Sequence, residues 1–184
     1  HPTSKEAEKV HNMIAILEKE ELKKIEEEKQ KRLGAVKKLH KKYDDVSDIT
    51  WYENPYFTHY NNTNHTSIYI GKSSSSVWLR LKMSYNGDDW IFFEKAYLSY
   101  DGNTQHIPFD KYRDKKSDND TEVWEWIDVS VDDDMLSFIR NMANGKVAKM
   151  RLSGKYTHTK TLSQTEIKAI KDILLAYDVL KSGQ

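Results

Sequence analysis

Three stretches of the sequence predict an α+β domain, an antiparallel β-sheet or small β-sandwich with a packed C-terminal helix and a long N-terminal helical arm. From Val77 to Tyr85 the residues Val77, Leu79, Leu81, Met83 and Tyr85 alternate with Arg80, Lys82 and Ser84, the two-residue period of a half-buried strand. From Ser4 to about Lys42 the chain is dense in Glu, Lys, Leu and Ala, the strong helix formers. Ser163-Gln-Thr-Glu166 has the form of a capping box, and Ile167, Ile170, Leu174 and Tyr177 follow it at helical spacing, with Ile173 and Leu180 widening the stripe. A chain of 184 residues has room for one sizeable core and an appendage. The expected division is a charged helical arm or stalk over residues 1–42 and a β-rich globular domain over residues 43–184.

In the arm, Ser4 is placed as the cap. The pairs Glu20 to Lys24, Glu27 to Lys31 and Glu28 to Arg32 stand in the favourable i, i+4 order, each worth about 0.2–0.5 kcal/mol. Val10, Ile14 and Leu17, then Leu22 and Ile25, then Leu33, Val36 and Leu39 keep spacings of three and four, but the register slips between Leu17 and Leu22. A broken seam predicts a solvated helix, with a dimerising coiled coil as the alternative. Gly34 marks an expected kink or break, and Val36, Leu39 and Tyr43 are expected to dock on the β domain.

Beyond the arm, Ile49 to Tyr52 reads as a short strand that Asn54-Pro55 stops, and Tyr56 to Thr66 as a polar aromatic loop. Ser67 to Lys72 reads as a strand, with Lys72 to Ser76 as the hairpin loop into the Val77 strand. Asn86-Gly87 supplies residues tolerant of positive φ, which predicts a hairpin with the strand beginning at Trp90. There Trp90 and Phe92 face one way, Ile91 and Phe93 the other, so burial on both sides is expected. Leu98 to Ile107 reads as a second hairpin turning at Asp101-Gly102, Asp110 to Thr121 as a charged loop, and Val123 to Asp128 as a strand. Ser130-Val-Asp-Asp133 is a further capping box, opening a short helix through Met135, Ile139 and Met142 that Asn144-Gly145 closes. Val147 to Leu152 reads as one more strand.

Lys plus Arg equals Asp plus Glu at 29 each, and the pI is about 7.2. No overall field draws nucleic acid or an anionic membrane, and no nucleic-acid partner is expected. Cysteine is absent, which removes disulfides, thiolate metal sites and thiol catalysis. No apolar run approaches the roughly 18 residues of a transmembrane helix. The chain begins His1-Pro2-Thr3-Ser4 without an initiator methionine, so a mature form or excised piece is expected, with a signal peptide or lipid anchor upstream as its only route to a membrane.

Motifs for chemistry are sparse. Gly71-Lys72-Ser73 lacks the upstream glycine of a phosphate loop and leads into a strand. His59 and His65 have no third ligand at suitable spacing, and the consecutive Asp118, Asn119 and Asp120 cannot all point inward as calcium-loop ligands do. Neither Gly-x-Ser-x-Gly nor His-Glu-x-x-His occurs. Asp44, Asp45, Asp88, Asp89 and Glu125 remain as carboxylates for acid–base work on a glycan. Trp124 and Trp126 share one face of their strand; they are expected in the core, with an exposed platform for stacking a sugar, base or side chain as the alternative. The candidate binding residues are Trp51, Tyr52, Asp88, Asp89, Trp124 and Trp126. No catalytic residue, metal ligand or cofactor is assigned.

Tyr43-Asp-Asp45 with Ile49-Thr-Trp-Tyr52, Tyr69-Ile-Gly-Lys72, Leu79-Arg-Leu81, Gly87-Asp-Asp-Trp90, Val123-Trp-Glu-Trp126 and the helix from Lys168 to Tyr177 together resemble an uncharacterised bacterial domain family. The resemblance covers about Lys41 to Leu180. Members of that family often stand behind a signal, lipoprotein or membrane-anchoring N-terminus, so the resemblance implies a domain held at the bacterial cell envelope, phage-encoded in some cases. It carries no catalytic residue. The expected function is a non-enzymatic binding or interaction module of the envelope, held by an upstream anchor or the helical arm, with a protein or envelope component as partner. The alternatives are a hydrolase acting on envelope glycan and a homo-oligomeric structural protein paired through the N-terminal helix.

Overall fold

The computed structural model describes residues 4–56 and 62–183. Its elements in chain order are α1 (Ser4–Lys37), β1 (His40–Asp44), β2 (Ile49–Glu53), β3 (His65–Lys72), β4 (Val77–Gly87), β5 (Phe93–Tyr100), β6 (Asn103–Ile107), β7 (Lys115–Asn119), β8 (Val123–Ser130), α2 (Asp133–Asn144), β9 (Ala148–Gly154), β10 (Thr157–Thr161) and α3 (Gln164–Lys181). All strand pairs are antiparallel, in a six-stranded sheet ordered β1-β2-β3-β4-β8-β7 and a four-stranded sheet ordered β10-β9-β5-β6. The result is an α+β, sandwich-like fold. One apolar cluster joins Ile68, Ile70, Leu79, Leu81, Met83 and Ile127 of the first sheet to Ala96, Leu98, Ile107, Met150 and Leu152 of the second, and α2 and α3 add Ile139, Met142, Ile170, Ile173 and Tyr177 to it.

The arm is helical but shorter than expected. α1 runs unbroken through Gly34 and ends at Lys37 instead of Lys42. The stop is imposed from downstream. Asp44 accepts hydrogen bonds from the Val46 and Ser47 amides at 3.1 and 3.4 Å and from the Ser47 hydroxyl at 2.6 Å, folding the chain into a turn with Asp48 at φ 52°. That turn pairs β1 with β2, so the lysines that favour helix locally form a sheet edge, where charged side chains discourage further pairing. Ala35 and Leu39 are buried, whereas Tyr43 is exposed and does not dock.

A larger difference lies at Asn86-Gly87, where no hairpin forms. β4 continues through both residues, which pair with Trp124 and Val123 of β8, and the following strand belongs to the other sheet. The Asn64 side chain holds Asn86 in the ladder, accepting from its amide at 3.1 Å and donating to its carbonyl at 2.8 Å. The reversal comes later, at Phe92, whose φ of 49° is left-handed. Ile91 and Phe93 are buried there, while Phe92 turns its ring outward, so the start of this segment is not buried on both sides.

Local signals hold elsewhere. Ser73 donates its amide to the Ser76 carbonyl at 2.9 Å, closing the β3–β4 hairpin, and Asp101 and Gly102, both at positive φ, turn β5 into β6. Ser163 and Glu166 cap α3 reciprocally. Part of the charged 110–121 segment is a strand, β7, because β8 offers it a ladder. β8 also extends through Ser130, so the cap of α2 is Asp132, whose Oδ1 accepts the Met135 amide at 2.8 Å.

Candidate functional site

The alternation of the six-stranded sheet sorts its residues cleanly. Leu79, Leu81 and Met83 of β4 face the core with Ile68 and Ile70 of β3 and Ile127 and Val129 of β8. Trp51, Tyr69, Trp78, Arg80, Lys82, Trp124, Trp126 and Asp128 therefore share the opposite, outer face. Trp124 and Trp126 are half-buried there; the core expectation for them fails because Val123, Glu125 and Ile127 take the inward positions. Ser84, in the row of Trp126, is six steps along β4 from Trp78, which places the two aromatic ends about 20 Å apart along the strand.

At one end, Trp51 lies opposite Gly71, and Gly71 opposite Trp78. The Trp78 indole covers the glycine so closely that a Cβ there would stand 2.4 Å from its Cε2. Removing the Cβ lets the rings gather: Trp51 and Trp78 meet edge to face at 5.8 Å, and Trp51 and Tyr69 lie 5.5 Å apart.

Next along the face is a polar network. Arg80 Nε donates to Asp128 Oδ1 at 2.8 Å and to the Tyr69 hydroxyl at 3.0 Å. Its Nη2 donates to the Asp128 carbonyl at 2.8 Å and its Nη1 to Ser130 Oγ at 3.3 Å. Tyr69 in turn donates to Asp128 Oδ2 at 2.7 Å. Burial and the neighbouring Asp128 push the Tyr69 phenol far above its ordinary pKa, which keeps it the donor. Lys82 lies beside this network with its ammonium 5.8 Å from the Trp126 ring centre; burial pulls its pKa down against the opposing pull of Asp128 and Glu53.

Beyond Trp126 an open cleft of about 990 Å³ is cut between the sheet face and the segment leading into β7. Arg80, Trp126, Asp128 and Ser130 form its floor, Lys116 projects from β7, and Asp110, Arg113 and Asp114 form a wall. The wall is self-consistent: Asp110 accepts the Tyr112 and Arg113 amides at 2.8 and 2.9 Å, and Arg113 Nε meets Asp114 Oδ1 at 2.9 Å.

Three of the six candidate binding residues, Trp51, Trp124 and Trp126, thus share this face. Tyr52 points the other way and is buried in the core. Asp88 and Asp89 are exposed on the crossover between the sheets, outside the cleft lining. Glu125 is also inward, 1% exposed, with Lys115 at 2.8 Å and the Ile91 and Phe92 amides donating to it at 2.9 Å each. Asp44 closes the β1–β2 turn, and Asp45 is exposed beside it. His59 lies outside the described residues, and His65 is buried with its Nδ1 2.9 Å from Thr63 Oγ1. Among the described residues no group of three or more His, Asp or Glu side chains is placed to hold a metal ion, and no helix is long and apolar enough to cross a membrane.

Sequence reasoning missed Trp78, Tyr69, Arg80 and Asp128 as site residues. The outward parity of Arg80 was visible, but its union with Tyr69 and Asp128 depends on strand registers spanning 11 and 48 residues. No protein-family model, curated protein or solved structure matches the chain.

Proposed function

We propose that this chain is a non-enzymatic binding module of the bacterial cell envelope, and that the outer face of its six-stranded sheet is the recognition surface. The observation that carries the reading is the concentration of Trp51, Trp78, Trp124 and Trp126 on the face turned away from the core, beside an open cleft. Partly exposed tryptophans on a sheet supply large, rigid contact area at low entropic cost, which suits recognition. The carboxylates around the cleft favour binding over hydrolysis. A glycosidase needs two acids held across the substrate, one of them able to give up a proton. Here Asp128 is tied to Arg80 and Tyr69, Asp114 to Arg113, and Asp110 to turn amides. The envelope setting is supported by the motif resemblance alone.

Co-sedimentation with isolated bacterial envelopes tests the reading. The wild type and a Trp90→Ala variant, altered on the crossover away from the sheet face, are expected to pellet with the envelopes. Trp51→Ala and Trp126→Ala are expected to stay in the supernatant while retaining the wild-type circular dichroism. Equal pelleting of all four proteins would remove the sheet face from the function.

A further inference from the structure

We propose that the cleft beside Trp126 is a carbohydrate subsite that takes a neutral pyranose with equatorial hydroxyls, as found in β-1,4-linked chains of glucose or N-acetylglucosamine. The inference rests on the binding-face reading above and names its ligand class.

Charge gives the first argument. The cleft is lined by three cations, Arg80, Arg113 and Lys116, and three carboxylates, Asp110, Asp114 and Asp128, so its formal charge is zero. A phosphate chain needs a surplus of positive charge, and a strongly charged peptide needs a surplus of the opposite sign. A neutral polar ligand needs neither.

Hydrogen-bonding capacity gives the second. A guanidinium carries five N–H groups. The Arg80 bonds to Asp128 Oδ1 and Tyr69 from Nε, to Ser130 from Nη1 and to the Asp128 carbonyl from Nη2 use three of them and leave two. Asp128 Oδ1 and Oδ2 receive Arg80 and Tyr69 respectively, so each oxygen keeps a lone pair. Fixed donors and fixed acceptors therefore stand side by side on one rigid pair. Vicinal sugar hydroxyls, each of which donates and accepts, match that arrangement. Ser130, exposed at the same floor, adds a hydroxyl of the same dual character.

Shape gives the third. Trp126 supplies a flat apolar ring beside the polar floor. An all-equatorial pyranose has C–H groups on both flat faces and hydroxyls around its rim, so one ring can stack on indole while its rim reaches Arg80 and Asp128. The cleft is open to solvent, which suits a unit of a chain better than a small molecule, whose pocket encloses most of its surface.

Isothermal titration of the full chain with cellohexaose and chitohexaose, and with hexagalacturonate and hexaglutamate as charged comparators, tests the class. At least one neutral hexaose is expected to bind more tightly than both comparators. Trp126→Ala is expected to weaken that binding by about tenfold or more, the factor associated with losing one stacking ring. Lys116→Ala, an exposed change on an edge strand, and Arg80→Lys, which keeps the charge and loses the fork, separate a lost contact from a lost fold. Both are expected to weaken binding with melting unchanged in Lys116→Ala. Failure of both neutral hexaoses, tighter binding of a comparator, or equal binding by all variants would overturn the proposal. If the hexaoses fail while envelope pelleting still depends on Trp51 and Trp126, the carbohydrate class falls and the recognition face stands.

Discussion

Glu125 shows how much of this fold rests on single side chains. Its carboxylate closes the crossover between the sheets by taking the Ile91 and Phe92 amides and the Lys115 ammonium together. Lys115 also donates to the Phe93 carbonyl at 2.7 Å, so both sides of the crossover are gripped. Glu125→Ala leaves a largely buried ammonium without its counter-charge and two amides unmatched, and is expected to cost about 3–5 kcal/mol in urea denaturation. Phe92 bears the strain of that crossover. At φ 49° and 49% exposed, its side chain adds little packing to offset a left-handed backbone worth about 1–2 kcal/mol. Phe92→Gly is therefore expected to match or exceed wild-type stability, whereas the β-branched Phe92→Val is expected to lose stability. Gly154 shares the site: a Cβ there would stand 2.0 Å from the Phe92 carbonyl oxygen.

Two further residues set the response to acid. Burial alone would raise the Glu166 carboxyl, but Lys160 and the Ser163 and Thr66 amides outweigh it and hold the pKa below the ordinary value. A depressed carboxyl stabilises the fold above its unfolded pKa of about 4.3, and that contribution is lost as pH falls through the lower native value. His158, lowered by burial and then by Lys160, works higher up: the native state resists its protonation, so stability declines as pH drops below about 6.5. Melting temperature against pH is expected to show both limbs, with Glu166→Gln flattening the lower one and His158→Gln the upper one.

Among the elements, the legible ones are those decided within a few residues. The Ser73–Ser76 loop, the Asp101-Gly102 turn and the Ser163 cap all close over three residues or fewer, and each stands where the sequence places it. The β4–β5 transit was not legible, because it is set by Asn64, 22 residues from Asn86, and by Glu125, 34 residues from Ile91. Local turn propensity at Asn86-Gly87 yields to those distant partners. The end of α1 follows the same rule, since only pairing with β2 turns a helix-forming lysine run into β1. Within α1, Leu22 lies about 120° around the helix from Val10 at 3.6 residues per turn, so the apolar positions do not all keep to one line. Gly34 occupies the helix interior, and a methyl group in place of its hydrogen would meet nothing within 4 Å, so Gly34→Ala is expected to add about 0.5–1 kcal/mol. Gly71→Ala has the opposite sign, because its Cβ displaces the Trp78 ring.

Across the whole molecule, the two sheets divide labour. Their facing sides hold one apolar cluster, and the outer side of the larger sheet is left to aromatic rings and an ion-pair network. The parity of Trp124 and Trp126 was readable in the sequence; which side of the sheet was core was not, because the residues that fill the inside come from α2, α3 and the second sheet. The chain contains five tryptophans, four on the outer face and Trp90 on the crossover. That distribution supplies its own control. The most direct test of the recognition face is to follow the five indole N–H resonances by two-dimensional NMR while solubilised bacterial envelope material is added. Movement of the Trp51, Trp78 and Trp126 signals with Trp90 unmoved is the expected result. Movement of Trp90 alone, or of none of the five while the envelope material binds, would contradict it.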